Sequence, residues 1–375
     1  MPWKALTAMS LRFEFIKLGL SADANIAELC RRFNISRKTG YKWINRFLKQ
    51  GYAGLADRSR RPKTSPNATR AELEKAILQL RTQHSAWGGR KTRKRLQRLG
   101  WQQVPAASTI TDILRRNGCI KATESVKHKA WVRFEAPAPN DLWQMDFKGH
   151  FAADKSRCHP LTVLDDHSRY ALGLQACSNE KAATVKQRLV MILRRYGLPA
   201  RMLMDNGAPW GSDAQHTFTR LTTWLIRQGI GIIHSRPRHP QTLGKDERFH
   251  RTFKAEIGQY CIGLNLAQCQ KRFDAWRDIY NLQRPHESLG MLVPADRYQP
   301  SNRRYKESLP PIEYGPDDHV RKVQQQGWIS FKGKEYRVSR AYYRERVAVR
   351  RTETDGCYDV YFCNQKIAKL NVKNQ

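Results

Sequence analysis

Through most of the first 120 residues, apolar side chains recur every three or four positions, a period that predicts helices. SLRFEFIKLGL, NIAELCRRF and SRKTGYKWINRFLKQG read as three short helices within residues 1–56, with Asn25 and Ser36 as N-caps and Gly51 as a stop. A tight turn at Asn34 and Ile35 before the last helix predicts a helix-turn-helix. At about 100° per residue, Trp43, Ile44, Phe47 and Leu48 gather on one side of that helix, and Lys38, Lys42, Asn45 and Arg46 on the other. The division suits a helix that packs on its own domain and turns donors toward base edges and phosphates. A plain helix with a solvated basic face shows it equally well. The neighbouring stretch tips the balance: residues 57–69 form a Pro- and Arg-rich extended linker, in which Arg58, Arg60 and Arg61 suit a DNA backbone or minor groove.

Residues 70–120 repeat the helical texture as ATRAELEKAILQLRTQH, GGRKTRKRLQRLG and PAASTITDILRRNG, with Ser108 as a cap, and predict a second helix-turn-helix-like domain. The stretch 121–139 has no sustained period and ends Pro-rich, as a linker does. Beyond it DLWQMDFKGHF, LTVLDDHSRYALGLQA, RMLMD and GIGIIHS read as strands. NEKAATVKQRLVMILRRYG, TFTRLTTWLIRQG, GKDERFHRTFKAEIGQY and LAQCQKRFDAWRDIYNLQRPH read as helices. Residues 140–300 therefore predict an α/β domain, a mixed sheet with helices packed on it. Residues 301–316 form an irregular linker, and the short alternating segments of 317–375 predict a small, basic β-barrel of the SH3-like kind.

Charge now enters the picture. The net charge is +35, from 68 Lys and Arg against 33 Asp and Glu, far beyond what solubility needs, so a polyanion is the expected partner. The first 121 residues alone carry 26 of those basic residues and 7 of the acids, which puts over half of the surplus on the helical end. Nucleic acid fits better than a membrane, because no run reaches the roughly eighteen apolar residues of a spanning helix. The start of the chain has no signal-peptide pattern, and the expected location is cytoplasmic, beside the nucleoid. Eight cysteines without a CxxC pair speak against a zinc site and a disulfide framework.

In so basic a chain, three acids stand out by position. Trp143, Met145 and Phe147 alternate on the buried side of the first strand, so Asp146 projects from the other face. Asp205 ends the strand RMLMD just before Asn206 and Gly207, where a carboxylate opens into a crevice. Glu247 opens a helix beside Asp246. The bland reading of that pair is two acids complementing a helix dipole.

WQMDFKG, MDNG and HPQTLGKDERFHRT, with Lys254 seven residues beyond Glu247, resemble the three blocks of bacterial insertion-sequence transposases of the Asp-Asp-Glu, retroviral-integrase-like family. The resemblance covers about residues 140–300 and includes YNLQRPHESLG. It implies an RNase H-like catalytic core, with Asp146, Asp205 and Glu247 as catalytic ligands of two Mg²⁺ ions, Mn²⁺ serving as substitute. Hard divalent cations prefer carboxylate oxygen, and a metal pair stabilises both attacking and leaving oxygens of a phosphodiester. On the helical wheel Phe249, Phe253, Ile257 and Tyr260 form the apolar stripe, with Glu247, Arg251 and Lys254 nearly opposite. Arg251 and Lys254 are accordingly candidates for DNA phosphates, and Asp246 for the helix start. Glu247 lies 42 positions after Asp205, longer than the family's commonest separation, and an insertion in APWGSDAQHTFT accounts for it cheaply. Asp165 and Asp166 are rival acids that the family pattern uses structurally. His234, His239 and His250 are assigned to structure or DNA contact.

The function this implies is a DNA transposase acting on double-stranded DNA at its terminal inverted repeats and at target DNA, working as at least a dimer. The alternatives are a non-catalytic helix-turn-helix repressor or architectural protein, and a stand-alone ribonuclease, which leaves two DNA-reading units unexplained.

Overall fold

The computed structural model describes residues 7–60, 68–120, 134–154, 156–211, 218–235 and 244–373. Arg61, His239 and the Pro-Gln-Thr triplet at 240–242 lie outside the described residues. The chain divides into two compact units, Met1–Ala68 and Thr69–Gln375.

The first unit holds α1 (Ala8–Gly19), α2 (Ile26–Arg32) and α3 (Arg37–Gln50). Side-chain caps start all three, since Thr7 accepts from Ser10 N, Asn25 from Ala27 N and Glu28 N, and Ser36 from Thr39 N. Gly51 ends α3 with φ 60°, a left-handed region open to glycine. Phe15, Ile16, Cys30, Trp43, Ile44 and Leu55 form its core. Leu48, expected on the packed side of α3, is 65% exposed instead, because a core this small closes on Trp43, Ile44 and a half-buried Phe47 before the stripe reaches it.

In the second unit, α4 (Ala71–Gln83), α5 (Gly89–Arg98) and α6 (Ala107–Arg116) share a core of Leu73, Ile77, Leu80, Leu96, Ile110, Ile113 and Leu114. Ser108 does not cap α6: the helix begins at Ala107 behind Ala106, which puts Ser108 in the first turn.

The strands β1 (Leu142–Phe147), β2 (Phe151–Ala152), β3 (Arg157–Asp165) and β4 (Ala171–Cys177) are followed by α7 (Ala182–Tyr196), β5 (Arg201–Met204), α8 (Arg220–Arg227) and β6 (Gly231–His234). β3 lies between β1 and β4, antiparallel to both, while β5 pairs parallel with β1 and β6. Both faces of the sheet are covered. Trp143, Met145, Leu161 and Val163 meet Leu189 and Leu193 of α7 on one face. Leu164, Ala171 and Leu174 on the other meet Phe249 and Phe253 of α9 (Gly244–Glu256) and Phe273 and Trp276 of α10 (Leu266–Leu282). Tyr260, expected on the apolar stripe of α9, is exposed because the helix ends at Glu256 and a short 3₁₀ turn redirects the chain.

The C-terminal segment differs from the barrel the alternation predicts. β7 (His319–Lys322), β10 (Arg346–Arg351), β11 (Cys357–Phe362) and β12 (Gln365–Asn371) form an antiparallel sheet in the order β12-β11-β10-β7. β8 (Trp328–Phe331) and β9 (Lys334–Arg337) make a separate hairpin, so no ladder among the described residues closes a barrel. Val347, Val349 and Phe362 share the apolar cluster of α7 and α8, and Gln365 Oε1 accepts from Ile232 N (3.1 Å) at the edge strand β6. The sheet's apolar side is thereby met by the α/β domain rather than by a closing strand.

At Gly40 an added Cβ would lie 2.6 Å from Cys30 Sγ and 2.9 Å from Phe15 Cζ, where α2 and α3 cross. Gly40→Val is expected to destabilise the first unit alone by about 1–3 kcal/mol through overpacking. Hydrogen exchange should quicken across α1 to α3 and stay unchanged in the sheet.

Candidate active site

Asp146 is the penultimate residue of β1, opposite Thr162 in β3, and its Oδ1 accepts from Phe147 N at 2.8 Å. Asp205 immediately follows β5, the parallel neighbour of β1; its Oδ1 accepts from Gly207 N (3.1 Å) and its carbonyl oxygen from His234 Nδ1 (2.9 Å). Adjacent parallel strands thus end with their acids side by side. Glu247 stands exposed in the first turn of α9. Burial pushes the Asp146 carboxyl up to about 7, and the charge of Asp205, followed by those of Glu180 and Glu247, adds to the rise against the Phe147 N–H. Burial also raises Asp205, with Glu180 adding to it while Gly207 N–H and His234 oppose it. Three acids therefore act together on Asp146.

Glu180 is the acid sequence reasoning missed. It sits between β4 and α7, where an acid reads as an ordinary helix-start residue, and His159 Nδ1 holds its Oε1 at 2.8 Å. The donor set, carboxylate oxygen throughout, fits the chemistry of a hard divalent cation, which would relieve the repulsion around Asp146. Among the described residues no three Asp, Glu, His or Cys side chains are drawn close enough to hold one metal ion. The acids share a field without forming a closed cage.

The neighbouring acids are placed quite differently. Asp246 is fully buried and faces β3 instead of the helix start: its Oδ1 lies 3.3 Å from Thr162 Oγ1, which is 2.9 Å from His250 Nε2 and donates to the Asp146 carbonyl (2.9 Å). Burial, with the charge of Asp146 behind it, raises Asp246 well above the usual carboxylate range, and burial pushes His250 down to about 4. Asp165 and Asp166 are buried too. Asp165 accepts from Asn140 N, Ser168 N and Ser168 Oγ; Asp166 accepts from Ala136 N and Gln144 Nε2 and pairs with Lys245. That ion pair ties the first turn of α9 to the end of β3, one residue from Asp246 and two from Glu247.

Family comparisons agree with this architecture. Residues 136–240 and 228–294 match integrase core domains, and 318–375 match the C-terminal domain of the IS481 family transposases. Residues 14–63 match a helix-turn-helix domain, and 39–114 a homeodomain-like domain. The chain is 31% identical to the uncharacterized protein of insertion element IS476 from Xanthomonas euvesicatoria, over 42% of this chain and 44% of that one. With the uncharacterized protein of IS407 from Burkholderia multivorans it shares 28% identity, over 42% and 55%. The chain is similar to the retroviral-integrase-like family of bacterial insertion-sequence transposases. It spans about half the length of the curated relatives it matches. A solved HTLV-2 integrase catalytic core in complex with magnesium aligns with 44% of this chain and 99% of its own at 14% identity, with a TM-score of 0.33, too low to add to the assignment.

Against that family background, the basic candidates separate. Lys38, Lys42 and Asn45 are exposed on α3, while Arg46 is half-buried with its guanidinium 4.9 Å from the Trp43 ring, which Lys42 and Arg12 also approach. Arg58 and Arg60 are exposed, and Arg58 donates to Gln50 Oε1 at 3.1 Å. Arg251 and Lys254 are exposed on the same side of α9 as Glu247, with Arg248 beside them.

The raised carboxyl of Asp146 has a consequence for stability. Between roughly pH 4 and pH 7 the native Asp146 holds a proton that an ordinary unfolded aspartate has lost, so stability from this group falls as pH rises through that window. Asp146→Asn is therefore expected to raise the metal-free melting temperature at pH 8 and leave it unchanged at pH 4. Thermal unfolding at both pH values measures it.

Proposed function

We propose that the chain is a DNA transposase that binds the terminal inverted repeats of its insertion sequence, cleaves strands there and joins the freed 3′ ends to target DNA. The observation that carries this reading is the convergence of charge on Asp146 from Asp205 and Glu247, supplied by two parallel strand ends and a helix start. In this reading Asp146, Asp205 and Glu247 hold two divalent ions, Mg²⁺ or Mn²⁺, which when bound supply Lewis acidity to the attacking and leaving oxygens of a phosphodiester. Arg251 and Lys254 hold the DNA backbone on the open side of α9, beside the acids. Lys38, Lys42, Asn45 and Arg46 present α3 to a major groove, with Arg58 and Arg60 following along the backbone. Glu180, fixed by His159, keeps the crevice anionic and favours cation entry. Two element ends processed together require at least a dimer. Among the described residues no helix is long and apolar enough to cross a membrane, and the reading places the protein in the cytoplasm, on DNA.

A non-catalytic helix-turn-helix binder is the second reading, favoured by the lack of a closed ligand cage among the described residues. Incubation with element-end DNA and Mg²⁺ or Mn²⁺ separates the two. Wild type should cleave, and Asp205→Asn should bind equally and lose at least about a thousandfold of cleavage, the scale expected when a group needed only in the transition state is removed. Binding without cleavage by either protein favours the binder, and equal cleavage by both removes Asp205 from the catalytic set. Independently, Lys42→Ala should weaken end-DNA binding and lower the slope of log affinity against log salt by about one, as loss of one phosphate contact does.

A further inference from the structure

Helix α5 carries six basic residues in ten, GRKTRKRLQR, and by composition would be a DNA contact. Four of the six side chains are engaged elsewhere. Arg98 donates through both terminal nitrogens to Asp296, at 2.6 and 3.1 Å. Arg95 Nη2 donates to Gln283 Oε1 at 2.9 Å, and Arg90 lies 3.7 Å from Glu287. Lys91 is half-buried among Arg284, Glu256 and Glu287, and burial pushes its ammonium down to about 8. Lys91, Arg95 and Arg98 follow at i, i+4 and i+7, so one face of α5 is committed. Every partner belongs to the catalytic domain: Glu256 ends α9, Gln283 caps α10, and Arg284, Glu287 and Asp296 lie in the turns just beyond. Ahead of α5, Trp87 is fully buried with His84 stacked on it at 3.9 Å, and His84 feels the charge of Glu256.

We propose that α5 is an intramolecular clamp, fastening the second helical unit to the catalytic domain through the segment 283–296 so that the two move as one body. Exposed ion pairs contribute little singly. Here a two-pronged Arg–Asp pair, a charged Arg–Gln bond and a desolvated lysine act over one short interface, and that combination fixes an orientation. The side-chain bonds of α6 stay within the helical unit, from Thr111 to Ala107 O and from Arg116 to Glu74, and Ser108 and Thr109 are exposed at its start. In a helix-turn-helix the second helix of the motif enters the groove. Resting on the proposed DNA-binding function, the clamp leaves α6 as the DNA-facing helix of this unit and holds it at a fixed offset from Asp146 and Asp205.

Hydrogen exchange on the full chain tests the clamp without DNA. Arg98→Gln and Asp296→Asn, the latter keeping an acceptor for Val293 N, should each speed exchange in α5 several-fold while the sheet is unchanged. Gln283→Glu, which turns the bond from Arg95 into an ion pair, should slow it; this gain cannot come from misfolding. Unchanged exchange in all three variants overturns the clamp. With a duplex carrying the element's own terminus added, exchange should slow in α6 and stay constant in α5 and 283–296. Faster exchange in 283–296 on DNA addition would mean that DNA strips α5 from the core, and overturns the fixed offset. A chain that binds no such duplex refutes the DNA reading and leaves the first arm to decide the clamp.

Discussion

The arrangement depends on burying like charges beside one another. Asp146 is partly desolvated at the end of β1 and lies in the fields of Asp205, Glu180 and Glu247, a placement that costs stability in the absence of a cation. The surrounding structure supports that cost. β3 and β4 are buried almost throughout, the sheet is covered by α7 on one face and by α9 and α10 on the other, and the buried Arg284–Glu256 pair joins the last two helices. Functional sites are where a fold tolerates such local conflict.

The rotation of α9 is set by contacts no helical wheel can reveal. The stripe of Phe249 and Phe253 fixes which side faces the sheet, and it was legible at a 3.6-residue period. The finer setting comes from Lys245 on Asp166 and from Asp246 and His250 on Thr162. These partners are about 80 positions apart in the chain, and although the wheel turns Glu247 away from the apolar stripe, it gives no sign that Asp246 is fully buried against β3.

Much of the first helical unit could be read from the sequence because helix and turn chemistry agree locally, as at Asn25, Ser36 and Gly51. The start of α6 was misplaced, since Ala106 offers no capping side chain to read. The C-terminal alternation spoke for strands but could not tell a barrel from an open sheet, because closure depends on what covers the apolar side. Glu180 escaped notice for a similar reason: its importance lies in the neighbours that tertiary structure supplies. Nor does basic composition translate directly into DNA contact. Arg98, Arg284 and Arg297 all bond to acids of the same chain, whereas Arg251 and Lys254 stand open.

The central claim is that Asp146, Asp205 and Glu247 form one cation site. The most direct test is thermal unfolding of the full chain titrated with Mn²⁺, in wild type and in Asp146→Asn, Asp205→Asn and Glu247→Gln. Saturable stabilisation of wild type, weakened or lost in each variant, is the predicted result. Stabilisation that persists undiminished in all three variants, or none in wild type, would contradict it.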